Sequence, residues 1–452
     1  MADFPVTRRA NDTACAGNLP RVKRTGQRAR RLDLLVYAVS LLFAAGTALF
    51  SEFYGYRVWG NFATAGYLLA AVLTCLGLVS STGLAGRSSL LTSRWTPVAV
   101  AGLLAGVVPL LVLIFRRSPS FVWGDWPWAF PAQPEVWVVE RSADLLLADG
   151  TPYPDLSLLD RAAHPDDYTP YGPSMTVFGL PRALFGDGAF TDARIAFALG
   201  TVLIVVLALY LLGWPRIPVL AAQLAAVSPL TLLTLVVAGD DVPVIALIVL
   251  ATVLAFRRNQ VWTGVVCALV ATMKLTALPA LAVLAVTIAV RRGRRDLAVF
   301  LGTLVAATAV VTVPVLLVDP ASFVEHVILY PAGLGEARSP AASPLPGHLI
   351  AQLGTVGHAA ALVLLAAAAC VIAAWLLLRP PRDRADVMLR IATGLGTAIV
   401  LAPATRWGYL VYPLAMLGSM IGFASLDERA DRNTAGPTDE LVANPDSRGI
   451  QP

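Results

Sequence analysis

Apolar residues come in blocks along this chain instead of alternating with polar ones. Blocks of membrane length occupy Leu32–Phe50 and residues 61–80, 97–115, 191–213, 217–237, 297–318 and 355–378. Each can cross about 30 Å of hydrocarbon as a helix. Shorter blocks cover 243–256, 261–273, 276–290, 387–402 and 409–424. Together they predict an all-α polytopic membrane protein, a bundle of about 12 spans. The polar breaks carry Arg87/Arg94, Arg216, Arg257/Arg258, Arg291–Arg295 and Arg379–Arg384. Placing these breaks on the cytoplasmic side makes the spans alternate and puts both termini in the cytoplasm. The alternation requires the short apolar stretch Ser174–Phe185 to be interfacial or re-entrant and not to cross. Arg116 and Arg117 are the exception and fall on the outer side. Two long segments, 116–190 and 319–354, then face outward.

Composition agrees with this class: 57% of residues are hydrophobic and 14% charged, with a mean hydropathy of +0.70. Soluble chains carry about 25% charged residues. The formal net charge of +5 conceals an asymmetry. Basic residues crowd 1–31, whereas carboxylates dominate 118–173 against only Arg141 and Arg161. Residues 1–31 therefore read as a basic cytoplasmic tail, 32–424 as the membrane domain, and 425–452 as a polar, disordered cytoplasmic tail. The first block is long for a signal peptide and has no small-residue cleavage site after it, so the expected location is the plasma membrane. Basic residues punctuate apolar segments and form no patch, which excludes a nucleic-acid partner. The four cysteines lack disulfide or zinc spacing.

The first outer segment concentrates the candidate chemistry. Its stretch 135–148 has helical spacing, with Pro134 suited to a first turn and Gly150 to a stop. Trp137 and Leu145–Leu147 would lay that helix on the membrane surface, and the tryptophans of 123–137 suit an interfacial belt or a sugar-stacking surface. Glu140, Asp144 and Asp149 are expected to face water. Asp240 and Asp241 open a helix over 242–256, where one would cap it and the pair could hold an acceptor or a divalent metal. Lys274 sits inside an apolar run, and a charge there is costly unless paired or hydrated, so it reads as functional. Arg406 lies at an outer turn and suits bidentate phosphate binding. His326 and His348 carry no spacing signal and are expected at the surface.

Glu135 to Tyr153, with Tyr168-Thr-Pro-Tyr171-Gly-Pro173, resembles the first outer loop of the polytopic GT-C glycosyltransferases, above all family 87. That pattern opens a surface helix with an acidic residue, ends it in a glycine turn followed by Pro-Tyr, and adds a Tyr-Pro-Pro-like motif. Here Glu135 stands where Asp is usual, and Tyr171-Gly-Pro173 replaces Tyr-Pro-Pro. Ala238-Gly-Asp-Asp-Val-Pro243 through Arg257-Arg258 to Lys274 is similar to a second family stretch, and Ala402 to Pro413 to the last outer turn. The resemblance implies a GT-C-like bundle whose long outer loop carries interfacial helices. It also implies transfer of a hexosyl (mannosyl first) or pentosyl residue from a polyprenyl-phosphate sugar to a lipid or glycan acceptor on the outer face.

Such a reaction needs a base for the acceptor hydroxyl and cations for the leaving phosphate. Glu135 is the first choice of base and Asp125 the second. Lys274 and Arg406 would hold the donor phosphate, while Tyr153, Tyr168 and Tyr171 would contact substrate. A multi-pass transporter or flippase is the competing class, since many spans and an intramembrane lysine also suit it. A ligase moving a whole lipid-linked glycan is the third. The chain shows no internal repeat and one long, acidic outer segment, which favours the enzymes.

Overall fold

The computed structural model describes residues 19–80, 93–117, 130–337 and 339–434. Among these the structure is all-helical, with one isolated β-bridge between Ala342 and Thr405. Helix α1 (Leu19–Phe50) pairs along its length with α2 (Tyr54–Ser80). Next comes α3 (Trp95–Gly102), which continues through a π-helical turn into α4 (Val108–Phe115). The first outer segment then contributes α5 (Pro134–Asp149), a 3-10 stretch over Pro173–Phe178 and α6 (Leu180–Phe185). After α7 (Ala193–Leu211) the chain makes a bent pair, α8 (Val219–Ala225) and α9 (Pro229–Val237). Two short helices follow, α10 (Asp241–Phe256) and α11 (Gln260–Met273), then α12 (Leu278–Arg292) and α13 (Arg294–Val318). The second outer segment holds α14 (Pro320–Val324) and α15 (Pro346–Ala351). Helices α16 (Thr355–Leu378), α17 (Arg384–Leu401) and α18 (Val411–Thr434) complete the bundle.

Eight of these helices are long and apolar enough to cross a membrane, or nine if α8 and α9 count as one span. The expected count near 12 includes shorter apolar helices that fall below this length, α10 and α11 among them. Every apolar block is helical, but α10 and α11 have only 16 and 14 residues. Burial explains how so short a helix survives. Helix α10 is buried along nearly all its length, among α7, α9, α11, α12, α17 and α18. A helix enclosed by protein need not match the bilayer thickness. The first span begins within a helix that starts at Leu19, and the last helix runs on to Thr434, past the boundaries drawn from hydropathy.

Helix α5 follows its local code. Pro134 occupies the first turn, and Gly150 ends the helix at φ 75°, a left-handed conformation open to glycine. Its buried face, Val136, Val138, Val139 and Ala143, packs onto the 3-10 stretch and α7. Gly179 lies so close to the α5 backbone that a Cβ there would overlap the Val139 carbonyl. The stretch Ser174–Phe185 is not one continuous helix; it forms most of the Pro173–Phe178 3-10 turns and α6, both packed against α5.

Two sequence expectations need correction at this level. Glu140 does not face water. It is 3% exposed, pairs with Arg117 at 2.5 and 2.7 Å, and accepts the Ala193 N–H at 2.9 Å. Arg117 also reaches Asp192 at 2.8 Å, which itself clasps the fully buried Arg194. Burial would raise the Asp192 carboxyl, yet Arg194 and Arg117 hold it below the usual carboxylate range. In this network the Arg117 charge is paired with carboxylates of α5 and the start of α7. Asp144 and Asp149 are exposed as expected.

His326, expected at the surface, is fully buried. Its Nδ1 accepts the Thr169 N–H at 2.9 Å, so Nε2 carries the proton toward the Pro154 carbonyl, also 2.9 Å away. The ring stacks on Tyr153 and meets Tyr168 edge-on. One imidazole therefore fastens the two outer segments together. His348 is half-buried, with Nδ1 2.8 Å from the Pro403 carbonyl.

Candidate functional site

The break between α11 and α12 builds one half of the site. Lys274 ends α11 in an extended conformation, and a single 3-10 turn, Leu275–Ala277, leads into α12. The break is braced from outside. Gly172 donates its N–H to the Met273 carbonyl at 3.1 Å, and Ser174 and Thr272 share a hydroxyl bond at 2.6 Å. Gly172 must be glycine, because a Cβ would overlap the Thr272 backbone.

The lysine so placed points at the start of α10. Its Nζ lies 2.5 Å from Asp240 Oδ2 and contacts Asp241 Oδ1, with all three side chains almost fully buried. The Tyr412 hydroxyl, on α18, donates to the same Asp241 oxygen at 2.8 Å. The ammonium also stands 5.2 Å from the Tyr171 ring centre. Neither aspartate caps α10 as expected. Asp240 makes no side-chain capping bond, and both carboxylates turn to the lysine. A buried ammonium without counter-charges is far costlier than a helix end without a cap.

A resident divalent ion does not fit this donor set. The Lys274 ammonium already stands between the two aspartates and offsets one of their two charges, and no group of three or more His, Cys, Asp or Glu able to hold a metal occurs among the described residues.

The second half joins positions 271 residues apart. Arg406 Nη1 donates to Glu135 Oε1 at 2.5 Å, tying the turn before α18 to the first turn of α5. Glu135 holds the guanidinium above its ordinary pKa despite the opposing effect of burial. The turn is pinned by the neighbouring bridge, where the Thr405 N–H donates to the Ala341 carbonyl at 3.1 Å and its carbonyl accepts from Ser343 at 2.9 Å. Both side chains keep solvent access, 33% for Arg406 and 18% for Glu135. Glu135 Oε2 is buried with no hydrogen-bond partner among the described residues. One oxygen of this carboxylate is thus fixed and the other is uncommitted.

The halves form one cluster. Tyr171 and Tyr409 each interact electrostatically with Glu135 and with Lys274, and Tyr56 of α2 with Glu135, Arg406 and Asp240. The structure therefore gathers Glu135, Tyr171, Asp240, Asp241, Lys274 and Arg406 from one list of sequence candidates. It places Tyr153 and Tyr168 elsewhere. Tyr153 is 2% exposed and donates to the Tyr171 carbonyl at 3.1 Å; Tyr168 is fully buried, stacked on Tyr330, and its hydroxyl meets Glu325 at 3.3 Å. Tyr153 thereby supports the Tyr171 backbone, and both rings pack against the Phe323–Tyr330 stretch. Asp125 lies outside the described residues, as do the tryptophans at 123, 126 and 128.

Tyr56, Tyr409 and Tyr412 were not singled out from sequence. The last two stand three and six positions after Arg406 in a stretch already marked by its family likeness. That proximity to an out-of-place arginine was the available signal. Tyr56 gave none, since an aromatic at a span end is ordinary.

Chemically, the cluster offers two cations, an uncommitted carboxylate oxygen and aromatic walls where the ends of several helices meet. No curated protein and no solved structure matches the chain. The family model described as glycosyltransferase family 87 matches residues 168–403, a span holding Tyr171, Asp240, Asp241 and Lys274 but neither Glu135 nor Arg406. With just over half of its 452 residues matched in this way, on an all-helical membrane fold, the chain belongs to glycosyltransferase family 87.

Proposed function

We propose that this membrane glycosyltransferase takes a hexosyl residue, mannosyl first, or a pentosyl residue from a polyprenyl-phosphate sugar. The acceptor is a lipid or glycan hydroxyl at the outer face of the plasma membrane. The observation that carries the reading is the divided carboxylate of Glu135, with Oε1 held by Arg406 and Oε2 without a partner. An acceptor hydroxyl meeting Oε2 gives up its proton there as its oxygen bonds to the sugar's anomeric carbon. The bond from that carbon to the phosphate oxygen breaks, and the electron pair leaves with the phosphate. Arg406 and Lys274 are the cations available to that growing charge, and donors fixed beforehand in a poorly hydrated site are the most effective kind. Both are ion-paired to carboxylates in the protein alone. A phosphate entering beside Arg406 would compete with Glu135 and loosen it for proton transfer.

The outward orientation is supported by the basic turns. Arg257–Arg258, Arg291–Arg292 and Arg379 lie at the ends of α10, α12 and α16, helix ends opposite to the starts of α10 and α12 that build the site.

Membranes containing the protein, given labelled polyprenyl-phosphate mannose, are expected to yield a labelled lipid or glycan. Glu135→Gln is expected to lower that yield by ~10²-fold or more, the usual contribution of a positioned base, and Arg406→Gln by ~10²-fold. Activity of Glu135→Gln within a few-fold of wild type would move the base elsewhere, with Asp125 the next to replace.

A further inference from the structure

At the end of the bundle away from Glu135 and Lys274, the tips of α12, α16 and α17 line an open cavity of about 890 Å³. Helix α12 has 15 residues, so the cavity lies about 22 Å along its axis from the Lys274 break. Arg291, Arg379, Arg382 and Arg390 line it against a single carboxylate, Asp386. That carboxylate is partly spent, accepting the Arg382 N–H at 3.1 Å.

Arg390 is built into the wall. It is 5% exposed, its guanidinium lies 3.5 Å from the Trp375 ring centre, and Nη2 donates to the Arg379 carbonyl at 2.8 Å. Asp386 stands 3.8 Å from the same Nη2. Nε and Nη1 remain buried without a hydrogen-bond partner. Buried guanidinium donors are rarely left unmatched in folded proteins, because their desolvation is then uncompensated. The planar fork suits a phosphate, which can accept from two donors at once. Apolar surface continues from the charged cavity: Val290 and Leu378 line it and are largely exposed on the flanks of α12 and α16.

We propose that this cavity is a phosphate-binding site for an anionic amphiphile, with Arg390 as its anchor. The proposal rests on no feature of the transfer reaction. The ligand's phosphate would complete the Arg390 donors while its chain follows the apolar flank of α12 and α16. A lipid headgroup and a free phosphate share this chemistry, and the test separates them.

Full-length protein is purified in mixed micelles of phosphatidylglycerol and phosphatidylcholine, and the lipid it retains is quantified by native mass spectrometry. In parallel, its thermal unfolding in neutral detergent is followed as inorganic phosphate is added. Retention of phosphatidylglycerol over phosphatidylcholine, reduced about tenfold by Arg390→Gln, supports the lipid source; the factor is that of losing one charge-assisted pair. Stabilisation by inorganic phosphate, reduced in the same variant and without lipid preference, supports a free phosphate. Should Arg390→Gln fail to fold, the exposed pair Arg379→Gln/Arg382→Gln supplies the comparison. The proposal is overturned if wild type shows neither preference nor phosphate stabilisation, or if folded variants bind as wild type does.

Discussion

Replacing Lys274 with methionine keeps most of the side-chain volume and removes the cation that Asp240 and Asp241 share. Nζ lies 2.5 Å from Asp240, and the three side chains are 9%, 2% and 8% exposed, so solvent screens the carboxylates poorly once the ammonium is removed. Asp241 keeps the Tyr412 hydroxyl at 2.8 Å, whereas Asp240 loses its only ion-pair partner among the described residues. Stranding one buried charge costs about 3–5 kcal/mol. A second change, Asp240→Asn, removes that charge and is expected to recover at least half of the loss. Turnover behaves differently. With the ammonium gone, the departing phosphate has one cation fewer, and transfer should remain ~10²-fold down in both variants. Thermal unfolding of the detergent-purified proteins, paired with transfer from labelled donor, reads the two effects separately. Lys274→Met with unchanged unfolding would show that the triad does not stabilise the fold. A double variant that regained transfer would show that Lys274 serves the fold and not the phosphate.

Two further outcomes follow from the outer segments. Burial pushes the His326 imidazole down to about 4, so the unfolded chain takes up the proton first. The penalty is absent above pH ~6.5, grows as pH falls toward ~4, and totals on the order of 3 kcal/mol. Protonation also costs Nδ1 its bond from the Thr169 N–H. Unfolding measured across that window should show wild type losing more stability than His326→Phe; equal slopes would deny the histidine this role. Gly172→Ala should cost about 1–3 kcal/mol, the range for overpacking, and lower transfer by shifting Tyr171 from Lys274. A variant as active and as stable as wild type would mean that the α11–α12 break tolerates displacement.

Much of this molecule follows from local rules that a single chain carries. Apolar blocks dictate helices because lipid leaves the backbone no other partner, and each block is helical. Pro134 and Gly150 bound α5 through their own backbone preferences, before any packing. Lys274 stands out because a charge in an apolar run demands a partner. What the chain order does not carry is which partner. Arg406 meets Glu135 across 271 positions, and Lys274 meets Asp241 across 33, only because α5, α10, α11 and α18 converge. The same convergence buries Glu140 and His326, which are ordinary polar residues when read in sequence. It also encloses α10, a 16-residue apolar helix, on nearly every side. Periodicity and hydropathy are properties of neighbours along the chain, whereas ion pairing and burial depend on which helices share an interface. The elements were therefore readable one by one, and the site exists only in their packing.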